Sequence, residues 1–327
     1  MDKIKSNIET KRIVCLGGGI GTSNLIRGLK KYNPKITVIT SMADDGGSSG
    51  RLRKAYGVMP LGDLISCIAA LIADENQELA SLLTYRLPGM SRENKSIDGQ
   101  KFGNLLMLTE ILRTKDIYKA LEVTKRMFGV IGDILPATDV RTRLSAITRD
   151  ARRVHGETAL DVAKHAETKG LKKIYLTPKD PVVNQRVVDN LKNADVIISG
   201  PGDLYTNQLP VLIVPKIKER ILKARCRKVF ILNIANKPFE TKGYTLKDFI
   251  NAVALHLGVF PFDTIIVNKN ISVPIPKKYK KYSYIKIDDK FRGVKQGFKL
   301  IEGDLVNYGF PIYHNSQKLA EIVVKNI

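Results

Sequence analysis

The chain has 327 residues, room for one large domain or two ordinary ones, and its 43% apolar and 26% charged content excludes general disorder. Against 32 acidic residues stand 54 Lys and Arg, a net charge of +22, so polyanions belong among the partners to weigh. No apolar run approaches the ~18 residues a membrane helix needs.

Arg12–Leu16 is a short apolar run that stops at Gly17-Gly18-Gly19-Ile20-Gly21. A helical pattern follows, with Leu25, Ile26 and Leu29 on one face and Lys30-Lys31 near its end, where the helix dipole favours cations. A second strand, Ile36–Ile39, ends at Ala43-Asp44-Asp45-Gly46-Gly47-Ser48-Ser49-Gly50. Strand, glycine turn, helix and strand make a βαβ unit, which implies a parallel sheet. An apolar helix follows Pro60-Leu61-Gly62-Asp63, and further helices are expected over Asn104–Arg113 and Asp116–Met127. Between Ile134 and His155 the pattern alternates, which predicts a β-hairpin or meander at about 130–156. Strands at Lys173–Leu176, Val196–Ser199, Val229–Asn233 and Thr264–Val267 then alternate with helices at Val182–Lys192, Leu212–Lys223 and Leu246–Leu257. A last helix starts at Ser316. The expected fold is a single α/β domain over 1–327, a Rossmann-like, doubly wound, mostly parallel sheet in three α/β/α layers with that insert; a division near residue 130 is the alternative.

Open parallel sheets bind ligands beyond the carboxyl ends of their strands. Four marked segments fall at such ends: Gly17–Thr22, Ala43–Arg51, Ser199–Thr206 and Asn233–Lys237. The first can aim amides at an anion, but it fits neither G-x-G-x-x-G nor a Walker loop, and a tight turn with no ligand is the plain alternative. In the second, Asp44 and Asp45 could hold magnesium, orient a hydroxyl or act as a base, with Arg51 for phosphate; an Asx turn is the plain alternative. In the third, Gly200-Pro201-Gly202 could cradle a phosphate or sugar and Tyr205 could pack on a flat ring, though a rigid connection is equally consistent. Asn233 can read a base or sugar edge with both donor and acceptor.

The three cysteines and four histidines show no zinc-type spacing. Cys15 and Cys67 fall in apolar patterns as core residues, His165 and His256 lie on helical segments, at the surface or half-buried, and His155 and His314 are undecided. No catalytic triad or firm cofactor emerges. The residues Met1-Asp2-Lys3-Ile4-Lys5-Ser6 lack a signal-peptide pattern, so a reduced, soluble, cytoplasmic protein is expected; its oligomeric state is open. Lysines interleaved with Tyr279 and Tyr282 at 277–282 could follow a nucleic-acid backbone, but with no nucleic-acid-binding motif a solvated lysine surface is the better account.

Taken together, the first glycine cluster and Ala43-Asp44-Asp45-Gly46-Gly47-Ser48-Ser49-Gly50-Arg51-Leu52-Arg53 resemble the YvcK-type gluconeogenesis factors, relatives in fold of the 2-phospho-L-lactate transferases. The resemblance continues through Pro60-Leu61-Gly62-Asp63, Phe102-Gly103-Asn104-Leu105-Leu106, Leu135-Pro136-Ala137-Thr138, His155-Gly156-Glu157-Thr158, Gly200–Thr206 and Glu240–Thr245, and spans roughly 11–325. It implies a regulatory protein, not an enzyme, that binds a UDP-sugar such as UDP-N-acetylglucosamine and is linked to cell shape and to carbon flow into the cell wall. The alternative is a magnesium-dependent phospho-group transferase. By resemblance Gly18, Gly19, Gly21 and Thr22 face phosphate, and Asp44 and Asp45 face the sugar or an ion. Asn104, Gly200, Pro201, Gly202, Leu204, Tyr205 and Asn233 line the nucleotide. The chain departs from the family at Ile20 (usually Thr), Gln100 (commonly His), Asp203 (usually Ser) and Tyr313 (often Arg).

Overall fold

The computed structural model describes residues 8–88, 97–161, 170–288, 291 and 297–327. In chain order, β1 (Arg12–Leu16), α1 (Gly19–Leu29) and β2 (Lys35–Thr40) form the first βαβ unit. Helices α2 (Gly47–Tyr56), α3 (Gly62–Ala70), α4 (Gln77–Thr84), α5 (Phe102–Thr114) and α6 (Ile117–Phe128) follow, before β3 (Asp133–Pro136). Next come β4 (Arg143–Thr148), β5 (Arg153–His155), α7 (Glu157–Asp161), β6 (Leu171–Thr177) and α8 (Gln185–Lys192). β7 (Val196–Ser199) leads through a π-helical turn, Leu204–Gln208, into α9 (Leu209–Leu212), α10 (Pro215–Lys223) and β8 (Arg227–Ile231). The remainder is β9 (Ala235–Asn236), α11 (Leu246–Leu257), β10 (Thr264–Asn268), β11 (Ser283–Tyr284), β12 (Lys299–Gly303) and α12 (Ser316–Val324).

Seven strands pair in the order β12-β10-β8-β7-β1-β2-β3, every pair parallel. From β1 the chain winds outward through β2 to β3, then returns to β7 on the other side and winds outward again. The switch point is therefore the β1–β7 seam.

The period-2 alternation of the strands divides the interior into two cores. Ile13 and Cys15 of β1, Ile36 and Val38 of β2, and Val196 and Ile198 of β7 face a layer built from α1, α3, α5, α6 and α12. Val14, Leu16, Ile39, Ile197 and Phe230 face α8, α10 and α11 on the other side. Both faces are covered, which is why these strands read as unbroken apolar runs. Phe102–Gly103–Asn104 opens α5 without a side-chain cap, whereas Asp116 caps α6 by accepting from the Tyr118 and Lys119 amides.

The antiparallel insert differs from its expected span. β3 belongs to the main sheet beside β2, because Ile134 and Leu135 each cover one of its two faces. The insert is instead β5-β4-β6, so the strand near Lys173–Leu176 pairs antiparallel with β4 rather than resuming the parallel order. Gly47 to Gly50, expected as loop, form the first turn of α2, a helix with little apolar periodicity because mainly Leu52 and Ser49 face inward. His256 is buried, not at the surface: its Nε2 accepts from the Ile174 amide at 2.9 Å and its Nδ1 donates to the Ala252 carbonyl at 2.7 Å. Burial also holds the Cys15 and Cys67 thiols up and inert. His165 lies outside the described residues.

Candidate functional site

The glycines after β1 are required first by close packing. A Cβ on Gly18 would come within 2.2 Å of Asp63 Oδ2, and one on Gly21 within 2.4 Å of the Pro201 carbonyl oxygen. The gap between the β1 and β7 loops is closed by polar links. The Gly18 amide donates to Asn207 Oδ1 at 2.8 Å, and Asn207 Nδ2 donates to Asp63 Oδ2 at 3.1 Å. α1 begins at Gly19 with no acid in its own first turn, but the Asp63 carboxylate accepts from the Gly19 amide and Asn207 from the Gly18 amide. The positive end of the helix therefore already meets one carboxylate, and an anion in the cleft would share it.

Beyond the loop is a cleft of about 290 Å³, with Gly18, Gly19 and Gly21 on one side and Pro201, Gly202 and Asn233 on the other. Asn233 Oδ1 accepts from the Gly202 amide at 2.9 Å, which fixes the side chain across the loop. Tyr282 and Tyr313 supply aromatic wall. Lys237 Nζ donates to Asp203 Oδ2 at 2.6 Å, so the carboxylate standing in the family's serine position is matched by a cation at the cleft. His314 also lines the cleft at 3% exposure; burial pushes its imidazole down to about 3, and its Nε2 has no hydrogen-bond partner among the described residues.

A second cavity of about 360 Å³ shares Gly19 and Ile20 with the first and holds Asp44, Asp63, Arg86 and Lys101. Burial, then the charge of Asp44, pushes the Asp63 carboxyl up to about 6, against Lys101 and the Gly19 amide. Burial likewise raises Asp44, which accepts from the Gly46 amide at 2.8 Å. Asp45 turns elsewhere, accepting from the Thr158 amide at 2.9 Å and its hydroxyl at 3.0 Å. The two adjacent aspartates therefore serve different cavities.

Of the residues singled out in the sequence, Gly18, Gly19, Gly21, Pro201, Gly202 and Asn233 meet at the first cleft and Asp44 at the second. Several others reach neither. Thr22 is fully buried and donates to the Pro201 carbonyl at 3.3 Å. Leu204 and Tyr205 point into the core; Tyr205 is 2% exposed, its hydroxyl 3.0 Å from that of Tyr244 and its ring edge-on to His256, so it offers no face to a ligand. Asn104 is fully buried, its amide without a partner among the described residues. Gly200 has φ +83°, and a Cβ there would meet the Ile231 carbonyl at 2.7 Å, so it shapes the loop from behind. Sequence reasoning misses Asn207 and Asp63. Asn207 is signalled by its place just past the third glycine segment, and Asp63 by the Pro60-Leu61-Gly62-Asp63 motif and its place in the first turn of α3, though neither signal assigns a role.

A seven-stranded parallel sheet with glycine-backed loops meeting at its switch point defines a Rossmann-like protein with a cleft beyond the carboxyl ends of its strands. The family model described as 2-phospho-L-lactate transferase CofD matches residues 13–306. The gluconeogenesis factor of Bacillus subtilis is 35% identical over 319 residues, 97% of this chain and 98% of that one. That of Halalkalibacterium halodurans is 34% identical, covering 97% of each. The crystal structure of a UPF0052-family protein from Bacillus halodurans superposes with TM-score 0.85 at 34% identity, over 96% of this chain and 99% of the other. The chain belongs to the gluconeogenesis-factor family and carries a CofD-type domain.

Proposed function

We propose that this protein is a regulator that binds a UDP-sugar, with UDP-N-acetylglucosamine as the first candidate, and links its level to cell shape and carbon flow into the wall. The observation that carries the reading is the glycine-backed start of α1, opening onto a cleft walled by Asn233, Tyr282 and Tyr313. The diphosphate would lie on the α1 amides, the base against a tyrosine and Asn233, and the sugar toward the cavity of Asp44. Gly18, Gly19, Gly21, Pro201, Gly202 and Asn233 are the binding residues of this reading. The Lys237–Asp203 pair and the Nε2 of His314, without a hydrogen-bond partner among the described residues, fit a polar ligand whose phosphates arrive near a neutralised rim.

A magnesium ion is implied by the transferase branch. Asp44 and Asp63 face one cavity, and two carboxylates completed by ligand phosphates suit its oxygen chemistry, so these residues would hold it. When bound it would neutralise phosphate charge. Calorimetric titration of the full chain with UDP-N-acetylglucosamine and with GDP, each with and without magnesium, tests the proposal. Saturable binding of the UDP-sugar, recovered chemically intact, is expected. Binding of magnesium–GDP alone, or turnover of the ligand, overturns it.

A further inference from the structure

We propose that the cavity between α2 and the antiparallel insert is a second ligand site, for a small molecule bearing two oxyanion groups. This pocket, about 780 Å³, is of the size that holds metabolites. It is a different pocket from the glycine-backed cleft and does not rest on the nucleotide reading.

Its walls carry cations on both sides. Arg53 and Lys54 come from the last turn of α2, and Arg141, Arg143 and His155 from the insert and its approach. Asp45 is the acidic side chain lining it, and that carboxylate already accepts two hydrogen bonds from Thr158. Arg53 is held in place by donating to the Asp44 carbonyl at 2.6 Å and also to the Thr142 carbonyl. Burial lowers the Arg53 pKa, and the charges of Arg141 and Arg143 lower it further against Asp45 and Asp44. Among the described residues Lys54, Arg141 and Arg143 form no ion pair.

A concave surface that crowds four permanent cations around one engaged carboxylate carries a repulsion that a bound anion would relieve. Arginine forks bind phosphate and carboxylate alike, in bidentate geometry. Because four cations exceed what one oxyanion group pairs, a molecule carrying two such groups on a short neutral body matches them better. Thr177 lines the pocket and supplies a hydroxyl for that body. Sugar bisphosphates and small polycarboxylates share this chemistry.

The test is calorimetric titration of the full chain at physiological salt with fructose 1,6-bisphosphate, with citrate, and with fructose as the uncharged control. Saturable binding of either anion and none of fructose is expected; which anion binds more tightly identifies the source. An Arg141→Ser/Arg143→Ser variant, altered only at exposed side chains, should keep its melting temperature and lose at least about tenfold in affinity, the scale of one charge-assisted hydrogen bond. Lys54→Ser, on α2, should weaken binding in the same direction. Absence of binding by both anions, or affinity unchanged in both variants, overturns the proposal. UDP-N-acetylglucosamine binding should be the same in these variants as in the parent, so failure here and failure of the nucleotide reading are separable.

Discussion

Asp63 is a carboxylate placed where charge is costly. It is buried between the glycine loop and α3, close to the charge of Asp44, and its pKa stands at about 6 against an ordinary 3.8. Between those values the folded chain keeps a proton that the unfolded chain has lost. Stability therefore falls as pH rises through that window, by roughly 3 kcal/mol if the shift is taken whole. Asp63→Asn removes the titration while keeping a side chain that can meet Asn207. Denaturant unfolding at pH 4.5 and 7 should show the parent losing stability over this interval and the variant showing a clearly smaller change. Equal slopes would mean that Asp63 ionises normally.

At the scale of elements, the turn after β7 organises the cleft through side chains on the segment after β8. Glu240, 1% exposed, accepts from the Thr206 amide at 3.1 Å, and from the Tyr205 amide, holding the π-helical turn, while Lys237 neutralises Asp203 above it. Lys237→Met leaves the Asp203 carboxylate facing the arriving phosphates. UDP-N-acetylglucosamine affinity should fall about tenfold or more, the scale of a lost charged contact. Adding Asp203→Ser should restore most of it, while both variants lose the cation 3.9 Å from buried Glu240 and should melt lower by the same amount. If the single variant binds as well as the parent, the pair has no part in ligand charge.

The elements also show what the sequence carries openly. β7, α11 and the start of α12 fall where the apolar pattern and punctuation place them. α10 begins only at Pro215, a residue that suits a first helical turn, so the expected helix from Leu212 is split. β6 is legible as a strand but not as an antiparallel one, because its partner β4 is chosen by tertiary packing and not by local pattern. Tyr205 shows the same limit at the site. Its place in a glycine-rich strand end suggests ligand contact, and only the π-helical turn reveals that the ring points into the core. The pattern at Gly18 and Gly21 implies backbone approach to a ligand, yet the nearest approach they permit is to Asp63 and Pro201. Pattern can say that a backbone must come close; it does not say to what.

Over the whole molecule, the cleft joins segments far apart in the chain. α12 crosses α1 so closely that a Cβ on Gly28 would lie 2.1 Å from the Ser316 carbonyl oxygen, and Tyr313 and His314, just before α12, line the cleft that α1 opens onto. A ligand held there bridges both helices. Hydrogen exchange with UDP-N-acetylglucosamine at a hundred times its Kd should show added protection over both 19–29 and 312–324, up to about 2.7 kcal/mol. Protection confined to the first segment would mean that Tyr313 and His314 only border the ligand.

The same crossing sets an order of events during synthesis. The β1 loop leaves the ribosome well before the wall it needs, because Tyr313 and His314 lie on the far side of every strand of the main sheet in chain order. A nascent chain can pair β1 with β2 and even admit β7 while the cleft still lacks one side. Ligand therefore has no complete site to favour until the segment leading into α12 has emerged, and can reward only the assembled domain.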